Sequence, residues 1–431
     1  MNKKKQKVSV LTLGCSKNLV DSEHLVGLLD TNNIKVTDNI EESDTVVINT
    51  CGFIGPAKDE SINVILEASE MKRQGKIKNL IVMGCLSQRY RDELKEQLPD
   101  VDAIFGVDSN ASVLKTIVAG NDYCLNENRK LLTPSHYAYL KIAEGCNHEC
   151  SFCAIPLIRG KYRSRSIDDI VREAEELVDN GVKEINLIAQ DSTYFGKDWD
   201  GKSHLAELID RISDIDGLPW LRIYYSYPTA FPEEILTVIA NKKNICNYVD
   251  IPFQHISDKI LKSMRRGTNS DYIKSLLNRI RTIIPNVAVR STFIVGYPGE
   301  TEDDFMELYD FIEESVLDRV GVFTYSHEEN THAFSLIDTV VQDEKDRRKE
   351  ELMLLQQKIS LGKNREKIGQ TFSVLIDKVK GDNYIGRTEH DAPEVDNLVH
   401  FTSKKRHDTG DFVMVRITDA KEYDIYGEVI D

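Results

Sequence analysis

The sequence predicts an α/β protein in three parts: a doubly wound parallel sheet, a partial (βα)6 barrel and a small antiparallel β-barrel. Three observations predict it. Residues 8–118 alternate apolar, β-branched runs with amphipathic stretches. Residues 137–326 repeat a strand pattern and then a helix pattern about six times. Residues 369–431 change to short β patterns punctuated by glycine. Continuous apolar strands between helices imply a parallel sheet covered on both faces.

In the first part, Val8–Gly14, Asp44–Thr50, Asn79–Gly84 and Val101–Val107 read as strands. Helices are expected near Leu19–Leu29, Lys58–Arg73, Tyr90–Leu98 and Ser112–Val118. The domain is expected over residues 6–121, ending near Asn121, with a linker at Asn126–Ser135. In the second part the strands are Tyr137–Ala143, Glu184–Gln190, Leu221–Tyr227, Tyr248–Gln254, Val287–Gly296 and Arg319–Ser326. Helices lie between them, such as Ile167–Asn180 and Glu302–Glu314. Six such units, short of the usual eight, suggest an open TIM-like barrel over residues 132–363. The charged stretch Gln342–Lys367 reads as an exposed helix leaving it. Residues 366–431 read as a small antiparallel barrel of the oligonucleotide-binding kind, near the minimum size to fold alone.

The chain has 431 residues, 41% hydrophobic and 29% charged, ordinary for a globular protein with real cores. No apolar run reaches membrane-spanning length. The start, MNKKKQKVSVLTLGC, lacks a small-residue cleavage site and reads as a first strand, so a cytoplasmic location is expected. Eight cysteines in such a chain favour metal binding or catalysis over disulfides. A net charge of −16 disfavours strong nucleic-acid binding, which needs Lys and Arg at phosphates, and suits a basic protein partner.

Cys146, Cys150 and Cys153 form C-x3-C-x2-C on a loop after a strand. Three thiolates so spaced can hold three irons of a [4Fe–4S] cube. A fourth cysteine would complete the ligation, and none is near. The iron left open can chelate the amino and carboxylate groups of S-adenosylmethionine. The alternative is zinc, which prefers four ligands in paired spacings, and His148 would crowd the triplet.

Cys15, Cys51 and Cys85 each close a successive strand, as LGCSKN, NTCGFI and GCLSQRY. Ligands gather at the carboxyl ends of parallel strands, and neighbouring strands lie about 4.8 Å apart. Three cysteines in one topological slot suggest a second cluster, again short of one ligand. The alternative is three buried apolar thiols. Cys124 and Cys246 have no such placement and read as structural.

Chemistry in a βα barrel collects at the carboxyl ends of its strands. That places Gln190, Asp191, Ser226, Gln254, His255, Gly296 to Glu300, Tyr325 and Ser326 around the triplet. His255 reads equally well as a packed barrel-mouth side chain. Thr301 is a candidate helix N-cap. Arg159, Lys161, Arg163 and Arg165 form a basic run close to Cys153, a candidate contact for a carboxylate if it is not a solvated loop.

Two three-cysteine sets followed by a small β-barrel resemble the methylthiotransferases, a radical S-adenosylmethionine family. The resemblance also rests on LKIAEGCNHECSFCAIPLIRG, IPFQH and FIVGYPGET. It implies two [4Fe–4S] clusters and S-adenosylmethionine as cofactors. Cys146, Cys150 and Cys153 would be the catalytic metal ligands, and Cys15, Cys51 and Cys85 the auxiliary ones. Gln190, Gln254, His255, Gly296 and Glu300 would be cofactor contacts, and the terminal module a TRAM domain. AQDSTYFGKD and RTEHDAPEVDN resemble the ribosomal-protein (RimO-type) branch, which methylthiolates an aspartate β-carbon of small-subunit ribosomal protein twelve. The alternative branch modifies tRNA adenosine. Residues 369–431 carry eight basic and thirteen acidic residues. Acidic side chains such as Glu389, Asp391, Glu394 and Asp396 are therefore expected to face a basic protein and not tRNA. The resemblance further implies an external electron donor, a sulfur donor and a cavity shared by both clusters.

Overall fold

The computed structural model describes residues 6–118, 123–125 and 128–430. The basic start, the boundary at Asn121 and the first two residues of the 126–135 linker lie outside the described residues. The chain forms two compact units. The first comprises residues 1–133, 144–148 and 153–162, and the second residues 134–143, 149–152 and 163–431.

The first unit is a five-stranded sheet, not four-stranded. Its strands are β1 (Lys7–Thr12), β2 (Lys35–Val36), β3 (Thr45–Thr50), β4 (Asn79–Gly84) and β5 (Ala103–Ile104). All pair in parallel in the order β2-β1-β3-β4-β5, a doubly wound topology. The unforeseen β2 has two residues, too short to show a pattern. Helices α1 (Ser16–Thr31) and α5 (Asn110–Ile117) cover one face, where Leu25, Leu29 and Val113 meet Val47 and Ile81. Helices α2 (Gly55–Arg73), α3 (Cys85–Arg89) and α4 (Arg91–Gln97) serve the other, where Ile65 and Leu94 meet Val46, Ile48 and Val82. The central strand β3 is buried along its whole length, which is why it reads as an unbroken apolar run.

The second unit begins with six parallel strands in sequential order. Tyr137–Lys141, Glu184–Ile188 and Trp220–Ile223 form one three-stranded sheet. Tyr248–Asp250, Ala288–Val295 and Arg319–Thr324 form another. A bridge between Leu221 and Ile245 joins the two. Each strand stops before its apolar run does, because the chain turns over at the carboxyl end. The helix Glu302–Ser315 starts with a capping box in which Thr301 and Asp304 satisfy each other's backbone.

Two expectations fail here. The helix Gln342–Glu366 does not project outward but packs on the last barrel strand. It buries Leu352 and Leu355, and also Arg348, which reaches Glu300 at 2.8 Å. The terminal barrel is closed but not wholly antiparallel, since Val399–Thr402 and Ile425–Val429 run parallel.

The acidic residues of the terminal module are a further correction. Asp377, Glu389, Asp391, Glu394 and Asp396 reach the amino ends of the barrel strands, while Asp382, Asp408, Asp411, Asp419 and Glu428 are exposed. Arg387 joins Glu184 at 2.8 Å and Asp377 at 2.8 Å, and Glu184 also holds Arg222 at 2.9 Å. Arg319 pairs with Asp391, Arg290 with Asp396 at 2.6 Å, and Tyr137 Oη donates to Glu394 at 3.0 Å. Glu389 accepts from the Asn247 backbone N–H at 3.1 Å. Burial works against the Asp391 carboxylate, but the charges of Arg319 and Lys367 hold its pKa well below the usual range. Asp377 is likewise held low, against burial, by His136 and Arg387.

Both carboxyls have depressed folded pKa values, so their stabilisation is present above the ordinary value of about 3.9 and is lost as pH falls below it. Asp391→Asn leaves the buried Arg319 guanidinium unpaired and should cost about 3–5 kcal/mol at pH 7. Its stability should also fall less steeply than that of the parent below about pH 4. Urea midpoints between pH 7 and pH 3 check both. A midpoint unchanged at pH 7 would show that this pair does not hold the module.

Candidate functional site

The parallel register decides where the strand-end cysteines fall. Thr50 pairs with Gly84, so Cys51 and Cys85 follow at one level. Thr12 pairs with Asn49, and Leu13 N–H donates to Asn49 O at 2.9 Å, which brings Gly14 level with Cys51. A Cβ on Gly14 would lie 2.8 Å from Cys51 Sγ, and Gly14 has φ +90, so only glycine fits. Gly84, at φ +102, is equally constrained beside Asn49. Cys15 is exposed ahead of α1, while Cys51 and Cys85 are 8% and 5% exposed.

Burial pushes the Cys51 thiol up and the Cys85 thiol up to about 12, with Arg159 acting in opposition at both. The charges of Cys15 and Cys51 add to the rise at Cys85. The three thiols thus stand at the ends of neighbouring strands, beside Gly14 and Gly84 and near the Arg159 guanidinium, though among the described residues no three His, Cys, Asp or Glu side chains already converge as a metal site.

Arg159 is not where the basic run suggested. Its side chain is 2% exposed and lies at the strand-end set. It donates to Asn18 Oδ1 at 2.6 Å, Glu144 Oε1 at 2.8 Å, Asp21 Oδ2 at 3.1 Å and Cys85 Sγ at 3.6 Å. Cys85 packs against Ala154 and Ile158, so the segment following Cys153 lies on the strand-end site. Arg165 turns away to Asp169 and Glu173, at 2.7 and 2.6 Å. Lys161 and Arg163 are exposed.

The triplet loop is fixed by its backbone. Cys146 N–H donates to Gly160 O at 3.1 Å, and Gly145 (φ +79) passes so close to Lys161 O that no side chain fits there. His148 offers its backbone N–H to Cys146 Sγ at 3.4 Å. In the second unit, Arg266 Nη1 donates to Cys150 Sγ at 3.3 Å. The Arg266 guanidinium lies 4.2 Å over the Tyr227 ring, and Tyr227 Oη is 3.6 Å from the same sulfur. The sequence reading missed Arg266, which sits in an MRRG run without a spacing signal.

The other candidates separate by environment. Gln254 (φ +75) and Gly296 (φ +73) turn over the ends of two adjacent strands, a strain typical of functional sites at the non-glycine position. Gln190 is half-buried at the end of its strand. His255 is fully buried; burial pushes its pKa down to about 3, and its Nδ1 accepts from Ser257 N–H at 3.0 Å. Glu300 binds Arg348 and accepts from Tyr297 N–H at 3.1 Å. Both side chains are engaged internally. Asp191 is tied to Thr193, and Ser226 N–H to Asp250 O at 2.8 Å. Ser326 donates to Glu328 at 2.7 Å.

Comparison with known proteins agrees with this architecture. Residues 140–312 match the radical SAM superfamily, residues 7–106 the uncharacterized protein family UPF0004, and residues 368–430 the TRAM domain. The chain is 49% identical over 429 residues to the ribosomal protein uS12 methylthiotransferase RimO of Flavobacterium johnsoniae, covering 99% of this chain and 98% of that one. It is 47% identical over 438 residues to the protein of the same name from Clostridioides difficile, covering 98% and 99%. The chain belongs to the uS12 methylthiotransferase (RimO) family. Among solved structures, the radical S-adenosylmethionine methyltransferase TsrM of Kitasatospora setae superposes with a TM-score of 0.53 at 14% identity, covering 74% of this chain and 75% of that one. The radical enzyme OxsB gives 0.52 at 12% identity, over 80% and 56%. These two likenesses concern the fold alone. Membership of the radical SAM superfamily implies one [4Fe–4S] cluster and S-adenosylmethionine. Among the described residues, no helix is long and apolar enough to cross a membrane.

In the metal-free chain at pH 8, exposed Cys15 should be alkylated first and Cys85, with its raised pKa, last. Cluster loading should protect all three. Peptide mass spectrometry after timed iodoacetamide treatment checks the order, and equal rates at Cys15 and Cys85 would contradict the burial.

Proposed function

We propose that this chain places a methylthio group on the β-carbon of an aspartate of ribosomal protein uS12, using two [4Fe–4S] clusters. The observation that carries the two-cluster reading is the packing of Cys85 on Ala154, next to Cys153. That contact supports reading the two sets as working together.

Cys146, Cys150 and Cys153 hold the radical cluster, and Cys15, Cys51 and Cys85 the auxiliary one. When bound, the first group would supply one-electron reduction of S-adenosylmethionine, and the second would carry the sulfur. Arg266 offsets the negative charge of the Cys150 thiolate. Gln190, Gln254 and the backbone at Gly296 would contact the bound S-adenosylmethionine. His255 and Glu300 support that edge from behind, His255 as a neutral imidazole. Exposed Cys15 is the side on which a sulfur donor reaches the auxiliary site. An unactivated β-carbon gives no acidic proton, so no side chain is needed as a general base. The electron donor and the sulfur donor are separate molecules, and the site of action is the cytoplasm.

Anaerobic reconstitution should load two clusters. Replacing Cys146, Cys150 and Cys153 by Ala should leave one cluster and abolish 5'-deoxyadenosine formation. Replacing Cys15, Cys51 and Cys85 should leave 5'-deoxyadenosine formation and stop methylthio addition to uS12, read by mass. Continued methylthio addition by the second variant would remove its cysteines from the mechanism. Product formed on tRNA in place of uS12 would transfer the assignment to the adenosine branch.

A further inference from the structure

One side chain is linked to every cysteine in the strand-end set, to Cys85 directly and to the strand ends before Cys15 and Cys51 through Asn18. Arg159 donates to Asn18 Oδ1 at 2.6 Å. Asn18 Nδ2 in turn donates to Leu13 O at 2.9 Å and Thr50 O at 3.0 Å. Leu13 lies two residues before Cys15, and Thr50 immediately precedes Cys51. The third cysteine, Cys85, receives Arg159 directly on its sulfur at 3.6 Å. Asn49 Nδ2 closes the arrangement on Asn18 O at 2.9 Å. The same guanidinium pairs with Glu144, two residues before Cys146, and with Asp21.

We propose that Arg159 is a positioning residue of the auxiliary site, fixing the three strand ends through Asn18 and setting the reduction potential of the cluster through its hydrogen bond to Cys85. The proposal rests on the reading of Cys15, Cys51 and Cys85 as ligands. A ligating Cys85 has no S–H, so its sulfur can only accept, and Arg159 is the donor aimed at it. A cube held by three thiolates is anionic and gains one more negative charge when it takes an electron. A guanidinium hydrogen-bonded to a ligand sulfur favours the more negative, reduced state, so it raises the potential. Hydrogen bonds from charged donors are roughly twice as strong as neutral ones.

The sign separates this role from a scaffold role. Removing a positive charge lowers the potential. Loosening the site and admitting water stabilises the more charged reduced form and raises it. The experiment is a dithionite titration followed by electron paramagnetic resonance on the reconstituted full chain, with the Cys146, Cys150 and Cys153 to Ala chain identifying the auxiliary signal. Arg159→Gln should move the auxiliary midpoint to a more negative value and leave the radical cluster's midpoint in place. Arg159→Lys, which keeps the charge, should recover most of the shift. Asp21→Asn, which frees the guanidinium from one carboxylate, should move it the opposite way. An unchanged or more positive midpoint in Arg159→Gln at full iron content overturns the proposal. If that variant does not load, an Asp21→Asn midpoint that is unmoved or more negative overturns it equally. An identifying chain without any cluster would instead overturn the ligand reading of the strand-end cysteines.

Discussion

The first unit depends on the parallel register of β1, β3 and β4. Parallel strands send all their carboxyl ends to one edge, and the register decides which residues meet there. Thr50 opposite Gly84 puts Cys51 and Cys85 side by side. A slip of one residue would turn each of these side chains to the other face of the sheet. The glycines follow from the same constraint. Gly14 occupies the level of Cys51, where the thiol already fills the space a side chain would need. Cys15 is displaced one residue further and emerges exposed. An edge holding two buried thiols and one exposed one is a consequence of register, not of the local sequence around each cysteine.

Much of this was legible because it depends on period and spacing. Unbroken apolar runs ending in cysteine revealed the strands and put Cys15, Cys51 and Cys85 at their ends. The C-x3-C-x2-C triplet needs no fold at all to be recognised. What escaped was whatever depends on a partner distant in sequence. The helix Gln342–Glu366 reads as exposed because its buried side includes Lys345, Arg348, Gln356 and Asn364. Those residues can be buried because Glu300, Asp338 and backbone carbonyls complete their hydrogen bonds. A hydropathy pattern records the residue and not its partner. Arg159 escaped for the same reason: six residues from Cys153, it reads as part of that loop, and its contacts with Asn18 and Cys85 are 141 and 74 residues away.

The terminal module shows why a summed charge misleads. Its excess of acid seemed to describe a surface. Asp377, Glu389, Asp391, Glu394 and Asp396 instead meet the basic and hydrogen-bonding groups at the amino ends of the barrel strands. With these engaged, Lys378, Lys404, Lys405, Arg406 and Arg416 are exposed beside Asp382, Asp408, Asp411, Asp419 and Glu428. The preference for uS12 over tRNA therefore gains nothing from the module's net charge and stands on family membership. The module meets the amino ends of the strands, opposite to the end where chemistry collects in such barrels.

The strand-end set also links metal binding to folding. Cys51 and Cys85 are buried thiols with raised pKa values, so in the absence of metal they remain protonated at neutral pH. If the proposed cluster binds here, ligation would need the thiolates, and each proton lost would be compensated by the irons and by Arg159. Arg159 in turn is buried between Asp21 and Glu144, and a buried cation of this kind is stable only while its partners stay in place. The thiolates, the guanidinium and the two carboxylates form one interdependent set of charges. Its members arrive from the ends of β1, β3 and β4, from α1, from Glu144 and from the segment after Cys153, so the proposed cluster site would form together with the first unit.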